Sequence, residues 1–114
     1  MSSAGARAGI GLPRARVLAL ADAIASVAQA PAAPADARLR QFFRARPAMG
    51  QQDRAFVAEG VFAWLRRRRS VETLAATTDP RRLAFATLVR EIGASVRELE
   101  AALSADEREW LAAF

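Results

Sequence analysis

Residues 51–74 read QQDRAFVAEGVFAWLRRRRSVETL. Within them Phe56, Val57, Val61, Trp64 and Leu65 recur at three- and four-residue steps, the period of a helix that buries one face. Gly50 precedes the run, and Asp53 stands where an acid can cap a helix start. Continuing the stripe would carry Arg68 into the core, where an unpaired cation is costly. We therefore expect a bend near Arg69, with Ser70 capping a fresh helix that carries Val71, Leu74 and Ala75. The stretch predicts two helices with four consecutive arginines, Arg66 to Arg69, at their junction.

Proline and glycine divide the rest of the chain in the same way. Pro13 suits a first helical turn, and Val17, Leu20, Ala21, Ile24, Val27 and Ala28 repeat with helical spacing until Pro31. A shorter helix with Leu39, Phe42 and Phe43 on one side follows the linker Pro31-Ala32-Ala33-Pro34 and ends at Pro47. Asp79 before Pro80 opens another, which carries Leu83, Leu88, Val89 and Ile92 up to Gly93. Ser95 with Glu98, and Ser104 with Glu107, have capping-box spacing. Trp110, Leu111 and Phe114 share one face of the last helix. No segment reads as a strand. The expected fold is all-α, a compact bundle of about six to seven helices over residues 13–114, behind a disordered basic tail over residues 1–12.

Composition then limits function. The 114 residues suffice for one domain of common size, and 53% hydrophobic residues are too many for a disordered chain. All 17 basic residues are arginine, and the net charge is +5. Residues 1–69 hold 12 arginines against Asp22, Asp36, Asp53 and Glu59, a net of +8; residues 70–114 hold five against eight acids, a net of −3. Such an asymmetry marks a basic half suited to polyanions. Arginine's planar fork favours phosphate, although a GC-rich genome enriches alanine and arginine without any selection for binding.

Without cysteine or histidine the chain has no thiolate nucleophile, no Ser-His arrangement and neither of the commonest transition-metal ligands, so no metal site is expected. Cysteine-free composition is compatible with a reducing cytoplasm, the expected location. The apolar runs are too short for a membrane span, since Asp22 interrupts the first helix. Gly5, Gly9 and Gly11 follow no strand and do not make a nucleotide loop. The acids Glu98 and Glu100, and Asp106, Glu107 and Glu109, are read as solvated helix faces and first-turn partners of the helix dipole.

The arginines carry the functional signal. The candidate RNA-binding set is Arg14, Arg16, Arg38, Arg40, Arg66, Arg67 and Arg69, forming one surface if the start of the first helix meets the end of the third. The competing reading is a solvated face whose arginines satisfy helix-terminal carbonyls and nearby acids. Arg54 can equally brace another helix or touch RNA. Trp64 and Phe62 are possible stacking platforms, but large aromatics at helical spacing are more often core.

The order Asp53-Arg54-Ala55-Phe56-Val57, Glu59, Val61-Phe62 and Leu65-Arg66-Arg67-Arg68-Arg69 resembles the N-terminal module of Sun-type bacterial rRNA cytosine-C5 methyltransferases, a module like the NusB antitermination factor in fold. Pro13-Arg14-Ala15-Arg16, Ala35-Asp36, Leu39 and Phe42-Phe43-Arg44 extend the resemblance, which covers roughly residues 13–111. Phe62 departs from the tyrosine common in the family at that place. The resemblance implies a NusB-like helical RNA-binding domain, joined to a downstream catalytic domain that binds S-adenosylmethionine and attacks cytosine with a cysteine. No cofactor is expected in this chain itself. The partners implied are RNA, above all rRNA, and the protein's own C-terminal methyltransferase domain, docked on the face of Trp110, Leu111 and Phe114. The alternatives are an antitermination-type adaptor that binds RNA with a protein partner, and a purely structural interdomain module.

Overall fold

The computed structural model describes residues 11–114. The expected tail falls outside them up to residue 10, but its last residues belong to the bundle. Leu12 is buried, and its amide donates to the Glu98 carbonyl at 2.8 Å. The bundle therefore includes Leu12, ahead of Pro13, because its side chain supplies apolar surface that the core takes up.

Among the described residues six α-helices make the expected all-α bundle: α1 (Arg14–Ala28), α2 (Ala35–Arg44), α3 (Gln51–Arg66), α4 (Arg68–Ala75), α5 (Pro80–Thr87) and α6 (Ala105–Ala112). A π-helical turn, Leu88–Ile92, continues α5, and a 3-10 helix, Arg97–Ala102, precedes α6. Among the described residues there is no strand. No described helix is long and apolar enough to cross a membrane.

The centre of the bundle is the packing of α1 on α5. α1 presents Val17, Leu20, Ile24 and Val27 along one stripe and touches α2, α3, α5 and the 3-10 helix. In α5 and just beyond it, Leu83, Ala84, Phe85, Ala86, Thr87 and Leu88 are all buried, so this helix is covered all round. Asp79 caps it by accepting from the Arg82 amide at 3.1 Å. Gly93, at φ 90°, ends the π-helical turn in a left-handed conformation that glycine adopts without a Cβ clash. The amide of Ala94 then closes onto the Leu88 carbonyl at 2.8 Å.

Both capping boxes form. Ser95 and Glu98 exchange hydrogen bonds at the start of the 3-10 helix, and Ser104 and Glu107 do so at the start of α6. The α1–α3 contact depends on Gly60: a Cβ there would lie 2.6 Å from Leu20 Cδ1. Val57, Val61 and Trp64 of α3 are fully buried around this crossing.

Arginine also works as a structural residue. The guanidinium of Arg54 spans two carbonyls, donating to Met49 O at 2.9 Å and Arg46 O at 3.2 Å while lying 5.4 Å from the Phe43 ring centre. It thus braces the α2–α3 loop through carbonyls, with no salt bridge among the described residues. Arg46 lies 3.8 Å from the centre of the Phe42 ring. Arg82 and Arg90 cover the rings of Trp110 and Phe114, which themselves pack 5.4 Å apart. The face expected to dock a following domain therefore already carries two guanidinium groups over its rings, with Leu111 buried beneath it.

Candidate nucleic-acid interface

The backbone creates the site before the charges do. Arg67 leaves the helical region at φ −123° and ψ 26°, so α3 stops at Arg66 and α4 restarts at Arg68. The break falls two residues before the expected bend, and Ser70 lies inside α4 and does not cap it. Re-aiming the chain at Arg67 lets Val71 and Ala75 enter the core, while Arg68 stays half-exposed. The break leaves a concavity of about 260 Å³ lined by Leu65, Arg66, Arg67, Arg68, Arg69 and Ser70. A second hollow, about 410 Å³, adjoins it and is lined by Arg69, Ser70, Thr73 and Leu74. Cations suit the C-terminal end of α3, where the helix dipole and unpaired carbonyls are negative.

Each of these four guanidinia has its own surroundings. Arg68 pairs with Glu72 at 2.9 Å, one turn on, and lies 4.7 Å from the centre of the buried Trp64 ring. Arg67 is exposed and only loosely paired with Glu91, at 3.6 Å. Arg66 and Arg69 are exposed and have no ion pair or hydrogen bond to another described residue. Two arginines with no partner among the described residues therefore line one concavity, free to meet a phosphate.

The remaining candidates do not join that cluster. Arg16 donates to Asp53 at 2.7 Å and lies 5.8 Å from the Phe56 ring centre, at the start of α3. Asp53 is thus an ion-pair partner in the first turn, with Gly50 at the cap position. Thirteen residues of helix separate Asp53 from Arg66, about 20 Å of rise. The first helix start accordingly meets the start of α3 and not its arginine end, so the single surface expected from both does not form. Arg14 is exposed nearby without a described partner.

On α2, Arg38 donates to the Ser26 carbonyl at 3.1 Å and to Gln41 at 3.0 Å, and so ties α2 to α1. Arg40 is exposed and 3.8 Å from Asp36. Beside Arg38 an open groove of about 560 Å³ runs between α1 and α2, where Asp22, Gln29, Gln41 and Arg46 give it mixed charge.

The bidentate ion pair of Arg81 with Glu107 is structural and was not legible from spacing. Its hydrogen bonds hold the Glu107 carboxyl well below the usual carboxylate range, at about 2, and the Ser104 amide assists. The same bonds raise the Arg81 guanidinium above its ordinary value. Among the described residues, no group of acids could hold a metal ion.

The fold and site together define an all-α module with a small basic cleft at a helix break. Comparison with protein-family models, with curated proteins and with solved structures finds no match to this chain.

Proposed function

We propose that the chain is a non-catalytic RNA-binding module that grips the phosphate backbone at the α3–α4 break. In this reading it is the N-terminal, rRNA-positioning part of an S-adenosylmethionine-dependent rRNA cytosine-C5 methyltransferase. The observation that carries the RNA reading is the pair Arg66 and Arg69, exposed and unpaired among the described residues in the lining of one concavity. Arg14, Arg44, Arg97 and Arg108 are likewise exposed without a partner among the described residues; what sets Arg66 and Arg69 apart is that both line one concavity. The methyltransferase context rests on the Asp53-to-Arg69 resemblance.

S-adenosylmethionine and the attacking cysteine belong, in this proposal, to the catalytic domain that the resemblance implies. The described residues include no strand-borne glycine loop, and the chain no cysteine, so the residues present do not fit the cofactor and no chemical step is assigned to them.

The test is the salt dependence of binding to a structured rRNA fragment. Neutralising both Arg66 and Arg69 to glutamine should flatten the plot of log K against log salt by about 1.4–2 units, as two phosphate contacts are lost. The circular-dichroism melt should not change. An unaltered slope in the double variant rejects the reading.

A further inference from the structure

The chain has eight aromatic side chains, six Phe and two Trp. Seven of their rings have an arginine guanidinium within 3.8–5.8 Å of the ring centre. Phe62 is the exception: no described guanidinium or aromatic ring lies on it, and it is 37% exposed. A single exposed apolar side chain is ordinary on a protein surface. Its position is what gives it meaning. Phe62 lies one helical turn before Arg66, so the two side chains are neighbours on the solvent face of α3. Arg66 in turn is one of the two unpaired cations of the concavity. A free ring face and a free phosphate-binding fork thus stand side by side, in a molecule whose other rings are already occupied.

We infer that Phe62 is a base-stacking platform, and that the α3–α4 cleft takes an unpaired nucleotide whose base lies on Phe62 while its phosphate meets Arg66. The inference rests on the RNA-binding reading above and sharpens it from any RNA backbone to RNA with an unstacked base. A duplex keeps its internal bases stacked on both faces and offers Phe62 no unstacked base beside a bound phosphate except at its two ends. Stacking is tolerant of sequence, and purines, with larger faces, gain more from it than pyrimidines.

The experiment uses the whole chain and two fluorescently labelled probes of equal length, an unpaired oligoadenylate and a blunt RNA duplex, read by anisotropy. Phe62→Ala should weaken the oligoadenylate complex about 10-fold, the loss of one stacked base, and leave the duplex unaffected. Phe62→Trp should restore the affinity. Because Phe62 is exposed, both variants should melt as the parent does. If Phe62→Ala binds oligoadenylate as the parent does while Arg66→Gln weakens both probes, the stacking inference is overturned and the arginine cleft stands. If neither substitution alters either probe, the inference and the RNA-binding reading fall together.

Discussion

Arg81, in the first turn of α5, holds Glu107, in the first turn of α6, through two hydrogen bonds of 2.7 Å, Nε to Oε2 and Nη2 to Oε1. The same Nη2 reaches the Ala102 carbonyl at 3.0 Å. One guanidinium thus ties the core helix to the last helix and to the end of the 3-10 segment. Bidentate geometry and the 7% exposure of Glu107 distinguish this pair from the looser surface pairs.

An acid transition follows from it. The Glu107 carboxyl is lowered from 4.5 to about 2, so the ionised form is favoured by folding. Its contribution to stability is complete above the unfolded value and is lost as pH falls from about 4.5 towards 2. Allowing for solvent screening, the loss is about 1–2 kcal/mol. Urea unfolding at a series of pH values should show this decline in the parent, and Glu107→Gln should remove that part of it. Equal pH slopes in the two proteins would refute the assignment.

Among the described glycines, Gly60 is the one where a Cβ would be most crowded. A Cβ would meet Leu20 Cδ1 at 2.6 Å and Cδ2 at 2.8 Å, and Leu20 is fully buried, so its branches have little room to turn. Gly60→Ala should therefore destabilise by about 1–2 kcal/mol, although alanine is the better helix former by about 1 kcal/mol. Combining it with Leu20→Ala should cost less than the two single changes summed, because the new methyl occupies space that Leu20 vacates. Strict additivity in denaturant titrations would show that the two residues do not crowd each other.

These contacts mark where sequence reasoning succeeds and where it stops. Helix boundaries were legible at Asp79-Pro80, Gly93 and Ser104 with Glu107, which act within a turn of the residues they organise, but not at Ser70. Helix rotation was legible too. Phe62 and Trp64 lie about 200° apart around α3, so the stripe of Val57 and Val61 admits only Trp64. The break at Arg67 was placed late because its position depends on how Val71 reaches the core, which no local spacing encodes. The role of Arg16 was hidden for a similar reason: Asp53 is 37 residues away, and only the α1–α3 packing brings them together. An arginine count sees equivalent charges, while the fold assigns some to acids, some to rings and some to carbonyls.

Ala76 ends α4 in the left-handed region, at φ 55°, with its amide bonded to the Glu72 carbonyl at 2.9 Å. An alanine Cβ crowds its own backbone there, and glycine does not. Ala76→Gly should raise stability by about 0.5–1 kcal/mol, the relief of strain exceeding the extra entropy that glycine brings to the unfolded chain. The exposed position leaves no packing to lose. A lower melting temperature in this variant would contradict the left-handed cap.

The division of arginines into braces and binders predicts opposite phenotypes for Arg16 and Arg66. Arg16 gives one hydrogen bond to Asp53 and lies near the face of Phe56, in a partly exposed setting. Arg16→Gln should cost about 0.5–1 kcal/mol in unfolding and leave the salt dependence of RNA binding unchanged. Arg66 touches no described acid or ring, so Arg66→Gln should alter stability by less than about 0.5 kcal/mol. It should nevertheless flatten the salt slope by about 0.7–1 unit, one phosphate contact fewer. Measuring both quantities on both variants separates the two roles, since net charge changes equally in each. If the slope falls by the same amount in Arg16→Gln as in Arg66→Gln, then total charge and not the cleft governs binding, and the assignment of the α3–α4 break as the contact site fails.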